Sequence, residues 1–280
     1  MPSQRARDPS STPSVATGIR RKCAPASLMR FGARLHESPM AWNVAALGLR
    51  ALSQPRRTGQ IRRYLESNDV RRLRLGSGRH VDEGWLSADV APLSKDTIYL
   101  DATKRLPIPD ASFDFIICEH MIEHLSLRHA RSLLVECRRI LRRDGVLRIV
   151  TPNLDRFLQM MSASGSDQAS EYYISAMNSQ VPVVPEIPAG DTDNPVYMLN
   201  RVMHDWGHQF LYNERTLSTL LLDAGFSNIV KCEPCVSAHP ELTGMDRHHE
   251  EVGERMNEIE SLLLEAQVTD ESDQGPRAAG

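Results

Sequence analysis

LRLGSGRHVDEGWLSADV, residues 73–90, is the stretch on which the fold turns. It opens on a short apolar run, Leu73–Leu75, that breaks at Gly76-Ser77-Gly78. It closes on a second run, Trp85–Val90, holding one carboxylate, Asp89. Two short strands read this way place a glycine turn and a carboxylate at neighbouring strand ends. Glycine lets a ligand approach the backbone, and the exposed amides of such a turn can bind a carboxylate group. A carboxylate ending the second strand can accept both hydroxyls of a ribose. Asp89 follows Gly78 by only 11 positions, too few for a full helix. A dinucleotide site needs that helix, because its N-terminus holds a pyrophosphate.

Outward from this stretch, apolar segments alternate with helical ones. Thr97–Leu100 reads as a third strand, and Asp101-Ala102 after it is placed to contact an adenine edge. Phe113–Cys118 reads as a fourth, apolar as a strand buried on both faces should be. Ser126 can cap a helix whose Ala130, Leu133, Leu134, Cys137, Ile140 and Leu141 share one face. Asp144-Gly145 is expected to end that helix, with glycine in the left-handed position, before a fifth strand, Val146–Thr151. Asn213 can cap a helix that buries Leu217, Leu220, Leu221 and Ala224 and stops at Gly225; Ser227–Cys232 follows as a sixth strand. Such alternation implies an α/β fold with a mostly parallel, doubly wound sheet.

The rest of the chain arranges around this core. Residues 152–212 form a connection far longer than usual, and an insertion at a strand's carboxyl end commonly caps a site. Residues 39–69 read as a lead-in with one or two short helices. The main domain spans 70–235, and a C-terminal extension, 236–266, carries a last amphipathic helix over about 250–266 with Val252, Met256, Ile259, Leu263 and Ala266 inward. Residues 1–38 and 267–280 are polar and aperiodic, and no ordered structure is expected there.

Several motifs together resemble the class I S-adenosylmethionine (SAM)-dependent methyltransferases, in a type 11-like bacterial branch often linked to cell-envelope polysaccharide synthesis. Leu73 to Gly78 resembles that family's first motif; LPIPDASFDF, 106–115, the run entering its fourth strand; EHMIEHL, 119–125, the helix start that follows. ILRRDGVLRIVTPN, 140–153, resembles its turn and fifth strand, and HDWGHQFLYNERTLSTLLLDAGF, 204–226, its late helix. The resemblance implies a Rossmann-like, seven-stranded sheet with the last strand antiparallel. It also implies SAM held at Gly76, Gly78, Asp89 and Asp101, with Glu119 and His120 lining the pocket; Ser77 and Ala102, beside these in the turn and after the third strand, join Glu119 as further cofactor-binding candidates. SAM carries no phosphate, so the short loop before Asp89 is compatible with it. The family usually has an acidic residue where Arg74 stands, and Arg79-His80 replaces its third glycine.

Methylation of a hydroxyl needs a base, and histidine is the usual one near neutral pH. His120, His204 and His208 are the candidates. His120-Met121-Ile122-Glu123-His124 also spells the HxxEH pattern of inverted zinc proteases. Coming directly after a buried strand, in methyltransferase order, it reads as the packing of a helix start, and no metal is assigned. The expected acceptor is a glycan or other small molecule. The alternatives are an RNA methyltransferase, metal-assisted through His120, Glu123 and His124, and a non-catalytic binding module.

Charge bears on the RNA alternative. Residues 1–66 hold 12 Lys/Arg against 3 Asp/Glu, while the whole chain is −3, so a basic arm precedes an acidic body. No apolar run approaches the roughly 20 residues of a membrane span. Five scattered cysteines, Cys23, Cys118, Cys137, Cys232 and Cys235, suit reduced thiols and a cytoplasmic location.

Overall fold

The computed structural model describes residues 39–162, 167–179, 187–188 and 190–269, so the basic leader and all but the first residues of the expected tail lie outside it. Seven strands form one sheet: β1 (Arg72–Leu75), β2 (Trp85–Asp89), β3 (Thr97–Tyr99), β4 (Phe113–Glu119), β5 (Leu141–Pro152), β6 (Ser227–Cys232) and β7 (Ser261–Gln267). Their order is β3-β2-β1-β4-β5-β7-β6. The pairings β1–β2, β2–β3, β1–β4 and β4–β5 are parallel, while β7 runs antiparallel to both β5 and β6. The winding reverses between β1 and β4, and ligands of doubly wound sheets bind beyond the carboxyl ends of strands at that switch.

The lead-in is one helix, α1 (Pro39–Ser67), which continues through Pro55 rather than splitting into two short ones. Tyr64 anchors it to the sheet: its hydroxyl accepts from the Arg72 N–H at 2.7 Å and donates to the Gly84 carbonyl at 2.8 Å. Helix α2 (Leu127–Ile140) starts at Ser126, whose side chain accepts from the His129 N–H, and buries Ala130, Leu133, Leu134, Cys137 and Ile140.

Its end differs from the sequence expectation. Leu141 already belongs to β5, and Asp144, not Gly145, takes the left-handed conformation (φ 61°). Gly145 is required for closeness instead: a Cβ there would lie 2.9 Å from the Arg142 carbonyl oxygen.

The insertion folds into α3 (Leu154–Met161), α4 (Gln168–Ser179) and α5 (Pro195–His204). These build a second small core from Phe157, Met160, Tyr173, Ile174, Met177, Met198 and Val202. Helix α6 (Glu214–Asp223) is capped by Asn213, which accepts from the Thr216 N–H, and ends where Gly225 adopts φ 89°.

The last amphipathic helix is corrected. Two short helices, α7 (His249–Val252) and α8 (Glu254–Glu260), flank Gly253 at φ 87°, and residues 261–267 are strand. Leu262, Leu263 and Leu264 are buried on both faces of that strand between β5 and β6, a burial that a helix with one apolar stripe would not achieve. Arg148 of β5 pins the segment before it: fully buried, it reaches Asp246 at 2.6 Å and Glu265 at 2.6 Å and donates to the Val236 carbonyl. Among the described residues, no helix is long and apolar enough to cross a membrane.

Candidate active site

Strand ends β1, β2 and β3 open on one cleft of about 210 Å³, small beside the usual range of small-ligand sites, about 300–1,000 Å³. Leu75, Gly76, Ala88, Asp89, Val90, Leu100, Asp101, Ala102, Thr103, Met121, His124 and Leu125 line it. No helix lies between β1 and β2, so no helix N-terminus faces the cleft there to hold a pyrophosphate. Gly76 adopts φ 65°, and a Cβ on it would meet the Met121 side chain at 2.6 Å; conformation and space both call for glycine.

Asp89 is fixed before any ligand binds. Its Oδ2 accepts from the Gly78 N–H at 2.8 Å and its Oδ1 from the Ala91 N–H at 2.7 Å. Burial pushes its carboxyl above the ordinary aspartate value, against the pull of these amides. For Asp101, burial also pushes upward, but Lys104 at 2.8 Å and Thr103 outweigh it and hold the carboxyl below its ordinary value. An ionised carboxylate has about four acceptor positions, so both residues keep capacity for ligand hydroxyl or amino groups.

The other cofactor candidates lie beside the cleft. Gly78 reaches it through Asp89, and Ser77 is buried with its hydroxyl unpartnered among the described residues. Glu119, at the end of β4, is occupied: Oε2 accepts from Arg74 at 3.1 Å, and Oε1 from the N–H groups of Arg247 and His248 at 2.6 and 2.8 Å. Arg74, 2% exposed, also reaches Asp82 at 3.0 Å and donates to the Met245 carbonyl. A four-charge network, Arg74, Asp82, Glu119 and Arg247, thus ties the segment before α7 to the glycine loop. Sequence reasoning missed Arg247 and His248, because nothing near them in the chain marks them as site residues.

The histidines fall into two groups. His120, at an unusual φ of 43°, stacks on His248 with ring centroids 3.5 Å apart, and His248 Nε2 lies 2.5 Å from Glu260 Oε1. Burial alone would lower the His120 pKa, yet Glu123 at 3.3 Å, with Glu260 and Glu119 further off, raises it. His124 and His208 form the second group, meeting edge to face at 4.9 Å. Two contacts staple their segments together: the Gln209 N–H donates to the Glu123 carbonyl at 2.7 Å, and Gln209 Nε2 to the His124 carbonyl at 2.7 Å. His204 is exposed at the end of α5 and joins neither cluster. Tyr173, buried against Phe157 and bonded to Glu260, is a packing residue of the insertion.

A parallel sheet wound both ways, an antiparallel seventh strand, and a glycine turn with two carboxylates on one cleft make this a Rossmann-like, doubly wound domain with a cleft at its strand ends. Residues 83–149 match the family model described as "Methyltransferase domain". Two curated Mycobacterium tuberculosis proteins, from different strains and each named "Probable S-adenosylmethionine-dependent methyltransferase", are 30% identical over 148 residues, 52% of this chain. The match spans 37% of the length of those relatives. Among solved structures, a SAM-dependent methyltransferase from Archaeoglobus fulgidus aligns at 17% identity and a TM-score of 0.40, covering 75% of this chain and 91% of its own. One from Thermotoga maritima aligns at 14% identity and a TM-score of 0.42, covering 86% and 99%.

Proposed function

We propose that this chain binds SAM in the cleft beyond β1, β2 and β3 and methylates a hydroxyl of a glycan or other small acceptor. The observation that supports it best is convergence: Gly76, Asp89 and Asp101, from three neighbouring strand ends, line one cleft. Asp89 is suited to a ribose diol, Asp101-Ala102 to an adenine edge, and the apolar walls Leu100, Met121 and Leu125 to the faces of the base. SAM supplies a methyl group on a sulfonium, and its transfer to oxygen breaks the carbon–sulfur bond, with the electron pair left on sulfur.

The chain's own contribution is alignment, exclusion of water and removal of a proton. His120 is the residue proposed for the last task. It follows β4 directly, next to Met121, whose side chain touches the space over Gly76. Its Nδ1 faces Glu123, while its Nε2 is buried without a hydrogen-bond partner among the described residues. A histidine oriented by a carboxylate through one nitrogen and without a protein partner at the other has the arrangement of a general base. The acceptor's hydroxyl proton goes to that Nε2 as the new carbon–oxygen bond forms.

Incubation of the full chain with methyl-tritiated SAM and separate glycan, small-metabolite and total-RNA fractions tests this reading. Label in the glycan or metabolite fraction, lost in His120→Ala, is the expected result. Label confined to RNA would overturn the acceptor, and failure to bind SAM at millimolar concentration would leave a binding module without this chemistry.

A further inference from the structure

We propose that Glu123, His124 and His208 form a binding site for one divalent transition-metal ion, such as Mn²⁺ or Zn²⁺, at the edge of the cleft. One ligand atom from each residue lies within 4.8 Å of the others. Glu123 is fully buried. Its Oε2 accepts from the Thr151 hydroxyl at 3.1 Å, and its Oε1 has the His120 Nδ1 at 3.3 Å as an ion-pair contact but no hydrogen bond among the described residues. An ionised carboxylate has about four acceptor positions, so Glu123 keeps lone pairs for a cation beside that contact.

The two histidines are prepared as ligands. His208 Nδ1 lies 2.6 Å from the Val202 carbonyl oxygen, which fixes the proton on Nδ1 and turns the Nε2 lone pair outward. Metal-bound histidines are commonly held through their other nitrogen in this way. The rings meet at 71°, so their in-plane lone pairs can converge on one point. The neighbouring group of His120, His248 and Glu260 also has ligand atoms close together, but its rings are stacked at 23° and their lone pairs run nearly parallel. Two imidazoles and one carboxylate leave coordination positions open, as in sites that also take a substrate oxygen.

Backbone geometry supports the same point. Trp206, just before this loop's histidine, is held at φ 58°, a conformation that a bulky residue adopts only when its surroundings impose it. That distortion, with Gly207 at φ 82°, brings His208 back onto His124. His124 itself lines the cleft. The ion would therefore stand beside the acceptor's path; this role rests on the methyltransferase reading, whereas the site itself does not.

Calorimetric titration of the EDTA-treated full chain with MnCl₂ and with ZnCl₂ tests the site, with Mn²⁺ paramagnetic resonance as a second readout. One ion per chain is expected. Its affinity should fall about 10-fold or more in His208→Ala and in Glu123→Gln, and should be unchanged in His248→Gln. His208 is only half-buried, so His208→Ala keeps the test valid if Glu123→Gln does not fold. Absence of stoichiometric binding of either ion, or loss of binding in His248→Gln with His208→Ala unaffected, would overturn the proposal. SAM titrations run in parallel separate the two readings: metal binding without SAM binding would refute the methyltransferase role and leave the metal site standing.

Discussion

Asp89 is tied through both oxygens to backbone amides, so its orientation toward the cleft is set by the glycine loop and not by a ligand. Hydrogen bonds to a charged group contribute about 1.5–3 kcal/mol each, so Asp89→Ala should weaken SAM binding by about 10-fold or more, measured by calorimetry. Because burial raises the Asp89 carboxyl, it takes up a proton at a pH above the ordinary aspartate value of 3.8. Protonation removes acceptor capacity from the ribose site. SAM affinity should therefore decline on acidification beginning above that value, and Asp89→Asn should abolish this dependence; an affinity that tracks pH identically in both proteins would contradict the assignment. These residues were legible in the sequence because each sits next to the turn or strand end that positions it. Arg74 was legible only as an oddity, since its partners Glu119 and Met245 lie 45 and 171 residues away. His248 and Glu260 left no local signal at all.

At the scale of elements, β7 and the segment before it hold together through Arg148. Removing one partner of a buried ion pair leaves the others uncompensated, which costs about 3–5 kcal/mol. Arg148→Ala strands both Asp246 and Glu265, so it should lower the free energy of unfolding by about that amount in urea denaturation. It should also release the Arg247 and His248 amides from Glu119 and so loosen the glycine loop. A loss under 1 kcal/mol (~1, the scale of an exposed pair) would show that this network is not what anchors the segment. Six strands were readable as short apolar runs, several of them bounded by glycine or proline, as at Gly76, Gly84, Gly145, Pro152 and Gly225. The seventh was not. Val252, Met256, Ile259, Leu263 and Ala266 keep a helical spacing across a true strand, and Leu262–Leu264 is too short a run for periodicity to separate the two. Antiparallel pairing with β5, more than 100 residues earlier, decides the outcome, and sequence pattern does not report it.

For the whole molecule, the cleft is formed by one sheet, while its surroundings come from three distant parts of the chain: α1, the insertion, and the segment leading to β7. A ligand that bridges three strand ends stabilises the folded chain as one unit. At 100 times its dissociation constant it adds about 2.7 kcal/mol. SAM should accordingly raise the thermal midpoint by several degrees, while ATP and NAD, whose phosphates find no helix N-terminus between β1 and β2, should leave it within error.

The most direct measurement is titration of the full chain with S-adenosylhomocysteine by calorimetry, beside Asp89→Ala and Gly76→Ala. Saturable binding of one molecule per chain, weakened by about 10-fold or more in Asp89→Ala and lost in Gly76→Ala, is the result expected of a nucleoside site at these strand ends. Absence of binding at millimolar concentration, or binding indifferent to both substitutions, would contradict it.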